Sequence, residues 1–154
     1  CIRDSCSTPL YDAMGITLTA MRHHVKEIED SVVAVSIITD GMENASREYD
    51  GKTIKELVER LRGEGWTFTY MGANQDSAEE AMKLSIRNSR NFECSDEGTR
   101  ALMGAAICTH VNFFSRLDVF KKGPKGRVDS MSAEERHNLY TSMADEAFDE
   151  EEGK

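Results

Sequence analysis

The chain has 154 residues, 39% hydrophobic and 31% charged, with a formal net charge of −9. That balance suits one soluble globular domain with a modest core and a tail, and its acidity argues against binding a phosphate backbone, which rewards clustered Lys and Arg. No apolar run approaches the ~18 residues needed to span a bilayer, and no secretory-signal pattern is present.

From Pro9 to about Ile28 the apolar residues Leu10, Ala13, Met14, Leu18, Met21, Val25 and Ile28 recur at three- and four-residue steps. That spacing predicts an amphipathic helix, with Thr8 as its N-cap and Pro9 at its first position. The run Val32–Thr39, VVAVSIIT, is continuous and β-branched, and predicts a strand covered on both faces. The polar, Gly-punctuated DGMENASREYDG then predicts a loop.

Ile54, Leu57, Val58 and Leu61 place a second helix from Thr53, ended by Gly63 and Gly65. WTFTYMG, from Trp66, reads as a second strand. Asp76 with Glu79 three residues on forms a capping box for a third helix, and a short strand is expected near Asn91 to Cys94. DEGTRALMGAAICTHVNFFSRL is a long, strongly apolar helix. Helices alternating with strands imply βαβ units: a three-layer, doubly wound α/β fold with a mostly parallel sheet.

Residues 118–131 have linker character, and Ser132 with Glu135 could cap a helix from Ala133 to about Phe148. Residues 132–154 are therefore expected to be a helix followed by a solvated acidic tail. The four cysteines, Cys1, Cys6, Cys94 and Cys108, form no CxxC pair. Their spread suggests a reducing compartment, hence the cytoplasm, with Cys108 a buried free thiol and a Cys1–Cys6 bridge left open. His23 and His24 fall on a polar helix face, and His110 reads as a satisfied core residue.

Ligands of open parallel sheets bind beyond the carboxyl ends of the strands. Two loops leave strands at that rim: TDGMEN, with Asp40, Gly41, Glu43 and Asn44, and GANQD, with Asn74. Asp40 stands at the tip of an apolar strand, where a lone carboxylate can face an ion or substrate. It could equally be a turn residue of Asp-Gly.

STPLYDAMG followed by a helix and VSIITDGMENAS resembles the later two-thirds of a von Willebrand factor A domain, of the small bacterial stand-alone type, over residues 1–117. FTYMGANQD and FECSDEGTRAL look like later segments of the same group. The resemblance implies a metal-ion-dependent adhesion site, in which a DxSxS loop, a Thr and an Asp hold a divalent cation that receives a partner protein's carboxylate. By motif, Thr8 and Asp40 would be the ligands of Mg²⁺ or Mn²⁺, with Ser7, Gly41, Glu43, Asn44 and Asn74 around the rim. Mg²⁺ takes about six hard oxygens, waters among them, which suits that donor set.

No DxSxS precedes Thr8 in this sequence. The DSCS of Asp4–Ser7 lies in the approach to the Thr loop rather than on a first strand. The expectation is thus a piece of a longer domain with two of five protein ligands and weak cation binding. Its Val32–Thr39 strand would be an open edge through which the chain could form a homo-oligomer. The functional expectation is a protein-binding module without catalysis, without nucleic acid and without membrane insertion. The alternatives are a scaffold or oligomerisation domain that has no metal function, and a small hydrolase using Asp40. GxxxxGK[ST] and GxSxG motifs are absent, which disfavours the hydrolase.

Overall fold

The computed structural model describes residues 8–28, 31–73, 76–123 and 130–152. The elements in chain order are α1 (Leu10–Val25), β1 (Ala34–Thr39), α2 (Gly51–Gly63), β2 (Thr67–Ala73), α3 (Ser77–Lys83), β3 (Asn88–Phe92), α4 (Asp96–Lys121) and α5 (Ala133–Glu152). The three strands form one parallel sheet in the order β1-β2-β3. Ala34 pairs with Thr67 and Thr39 with Gly72; on the other side of β2, Thr69 pairs with Asn88 and Ala73 with Phe92.

Successive strand residues point to opposite faces of the sheet, and helices cover both. On one face Ile37, Phe68 and Tyr70 pack with Met14 and Leu18 of α1, Ile54, Val58 and Leu61 of α2, and Ala81 of α3. On the other, Met71 meets Leu102 and Ala106 of α4, while Ala34 packs against Phe113 of α4 and Ala144 and Ala147 of α5. Every residue of β2 is buried, as its continuous apolar and β-branched sequence requires. The coarse α/β expectation with a parallel sheet therefore holds.

Several expectations need correction. The third strand starts at Asn88 and ends at Phe92, so Cys94 lies beyond it. Its sequence NSRNF carries little hydrophobic pattern, because it is an edge strand held by backbone pairing to β2. α4 continues past Leu117 to Lys121, into the expected linker. Cys108 is exposed rather than buried, since it faces away from the sheet. The acidic end is helical through Glu152, and Ala147 and Phe148 are buried in the core. The Phe148 ring lies 5.3 Å from the guanidinium of Arg90, and Asn88 Nδ2 donates to Asp145 at 2.9 Å, so α5 is fastened to β3. Cys1, Cys6, Ser7 and Asn74 lie outside the described residues. Among the described residues no helix is long and apolar enough to cross a membrane.

Candidate functional site

The loop from Asp40 to Asp50 is tied to the start of α1 by hydrogen bonds in both directions. The expected N-cap does not form: the cap position belongs to Pro9, and no side chain of the local sequence caps the helix. The first-turn amides are taken up from the loop instead. Tyr11 N donates to Glu43 Oε2 at 2.8 Å, and Asp12 N donates to Ser46 Oγ at 3.0 Å. Glu43 also accepts from the amides of Ala45 and Ser46 at 2.9 and 2.8 Å, and from Ser46 Oγ at 2.8 Å.

In return, Asp12 accepts from the amides of Arg47, Glu48 and Tyr49, each at 2.9 Å. These bonds set the acidity of both groups. The Arg47 amide, helped by those of Tyr49 and Glu48, holds the Asp12 carboxyl below its usual range against a smaller opposing effect of burial. At Glu43 burial pushes upward, but the bonds from Ser46, Tyr11 and Ala45 together outweigh it and the group ends lowered. The Glu43 carboxylate also sits where the positive end of the α1 dipole favours negative charge.

This brace fixes Thr8 over the Asp40–Gly41 turn. Thr8 N donates to Asn44 Oδ1 at 2.8 Å, and Asn44 N donates to the Thr8 carbonyl at 3.3 Å. A Cβ at Gly41 would lie 2.6 Å from Thr8 Oγ1, so only glycine lets the hydroxyl come so close to the turn. The turn is itself held from β1: Thr39 Oγ1 donates to the Gly41 carbonyl at 2.8 Å. Because α1 is capped by Glu43 and Ser46, the Thr8 hydroxyl is not used as a cap.

Thr8 and Asp40 line one crevice of about 440 Å³, walled by Pro9, Leu10, Ala13, Ile38, Phe92 and Cys94. It opens beyond the carboxyl ends of β1 and β3, where parallel sheets take ligands. Asp40 is exposed, and among the described residues it has neither a hydrogen bond nor an ion pair and is the one charged group of the lining. Thr8, Asp40, Gly41 and Asn44 are thus brought together. Glu43 is beside them but has both oxygens committed to the brace. Asp12 and Ser46 were missed as structural partners of this loop, and no local pattern could have revealed contacts between residues more than thirty positions apart.

The donors at the crevice are hard oxygens, the chemistry a Mg²⁺ or Mn²⁺ ion prefers. The described residues contain no group of three His, Cys, Asp or Glu side chains placed to hold a metal. Thr8 and Asp40 would therefore supply two ligands, with the rest from water or a partner. His110, expected in the core, is half-buried on α4, with Nε2 3.1 Å from Ser36 Oγ of β1. Burial lowers its pKa. No family model, curated protein or solved structure matches the chain.

Proposed function

We propose that the chain is a protein-binding module of the von Willebrand factor A type, in which Thr8 and Asp40 hold a divalent cation that accepts a carboxylate from a partner protein. The observation that carries this reading is the contact between the Thr8 hydroxyl and the Asp40–Gly41 turn across thirty-two intervening positions, inside a crevice at the carboxyl ends of the strands. A single carboxylate and a hydroxyl leave most of the coordination shell of the cation to water, and that leaves room for an incoming acidic side chain. The same scarcity of protein ligands makes the affinity weak. No step of the reading needs a nucleophile or a general base.

The test is Mn²⁺ titration followed by electron paramagnetic resonance, with Mg²⁺ as competitor. The wild-type chain should bind one weak equivalent, and Asp40→Asn should weaken it by about 10-fold or more, a loss of roughly 1.4 kcal/mol. Thr8→Val should weaken it too, while leaving helix content unchanged by circular dichroism. Equal Mn²⁺ affinity in wild type and Asp40→Asn would sink the assignment.

A further inference from the structure

A second cavity, of about 220 Å³, lies at the amino ends of the strands, the opposite rim of the sheet from Thr8 and Asp40. Ser31 ahead of β1, the Glu64 turn that leads into β2, and the first turns of α5 enclose it. From α5 come Arg136, His137 and the buried Tyr140.

Two of these side chains lack partners. Arg136 is half-buried, yet among the described residues its guanidinium has neither a hydrogen bond nor an ion pair. A guanidinium carries five N–H donors and accepts nothing. His137 is half-buried too, and its Nδ1 is enclosed without a hydrogen-bond partner. A proton on that nitrogen would be a buried donor with no acceptor, so the neutral ring carries its proton on Nε2 and donates there. The Ser31 hydroxyl is held only by a long bond to the Val25 carbonyl, at 3.5 Å.

Charge selects the ligand. The carboxylate of the wall, Glu64, is neutralised by Arg22, whose Nε donates to its two oxygens at 3.0 and 2.9 Å. The Arg22 bond holds the Glu64 carboxyl below its usual range against burial, and the further charges acting on it, Lys26 and Arg60, are cations too. Of the acids that open α5, Glu134 is exposed to water and Glu135 is bound back to the Ser132 amide at 2.7 Å. The amino end of α5 adds the positive end of its dipole to the same wall. In a chain of net charge −9, this corner is positive and rich in donors.

We infer that the cavity binds a phosphate group, with Arg136 as the anchoring cation and His137 Nε2 and Ser31 Oγ as further donors. These donors come from two sides, and a tetrahedral group accepts from several directions where a carboxylate accepts in one plane. The volume falls below the roughly 300–1,000 Å³ that holds drug-sized ligands, so the ligand is inorganic phosphate or a small phosphomonoester. The inference does not depend on a cation at Thr8 and Asp40.

Calorimetric titration of the whole chain with inorganic phosphate, and separately with glycerol phosphate, tests it, with divalent cations chelated. The wild-type chain should show one saturable site. Arg136→Gln should weaken it at least about 10-fold and His137→Ala about 3-fold or more, both with unchanged circular dichroism. Lys55→Gln, which removes an equal charge from the exposed face of α2, should alter the affinity by less than about twofold, as should Asp40→Asn. Tighter binding of glycerol phosphate would assign the site to a phosphomonoester, and the reverse order to free phosphate; either order supports it. Absence of saturable binding with both ligands overturns the inference, as does equal affinity in wild type and Arg136→Gln, or equal weakening by Lys55→Gln.

Discussion

Removing the Glu43 carboxylate should loosen the Asp40–Asp50 loop and leave the Tyr11 amide of α1 without its acceptor. Its four accepted bonds come from Tyr11 N, Ala45 N, Ser46 N and Ser46 Oγ. Bonds to a charged group contribute about 1.5–3 kcal/mol each when well shielded, but Glu43 is only half-buried and water competes, so about 0.5–1 kcal/mol each is the better figure. Glu43→Ala should then cost roughly 2–4 kcal/mol, and in a domain of this size that lowers the melting temperature by roughly 4–16 °C. Glu43→Gln keeps one carbonyl acceptor and should lose about half as much.

The pH dependence follows from the lowered acidity constant of Glu43 in the folded chain. Its stabilisation is fully present above the ordinary carboxyl value of about 4.3. As pH falls below that value the unfolded chain takes up the proton first, and the contribution is lost as pH passes through the lower folded value. Urea denaturation of wild type and Glu43→Gln across the acid range should show curves that converge at low pH. A Glu43→Ala loss under about 1 kcal/mol, or a wild-type advantage that persists unchanged in acid, would refute the brace.

Three further outcomes follow from the packing. A Cβ at Gly15 would lie 2.4–2.5 Å from the Tyr49 ring, so Gly15→Ala should destabilise by about 1–3 kcal/mol despite its gain in helix propensity, with Tyr49→Ala in the same chain relieving the clash in a double-mutant cycle. Phe148→Ala should cost about 3–5 kcal/mol in denaturant titrations, the cost expected in a core and not in a solvated tail. Burial lowers the His110 pKa, so its contribution to stability is complete above the unfolded value of about 6.5 and falls away as pH drops through the folded one; His110→Gln should flatten that part of the stability profile.

Where a residue's environment was set by its neighbours in sequence, it could be read directly. The Val32–Thr39 run marked β1, although the strand is Ala34–Thr39 and Ile38 is exposed rather than covered, and Asp76 caps α3 by accepting from Glu79 N at 3.1 Å, as its spacing to Glu79 suggested. Misreadings arose where distant residues decide. The sequence around Thr8 and Pro9 looks self-capping, yet the amides of α1 are satisfied by Glu43 and Ser46. α4 is apolar around most of its circumference, so periodicity could not say that Cys108 and Ile107 point outward while Phe113 and Leu117 point in. In α5 the steps Tyr140, Ala144, Ala147 and Phe148 do mark a buried face, but two of the four are small and acidic neighbours dilute the signal.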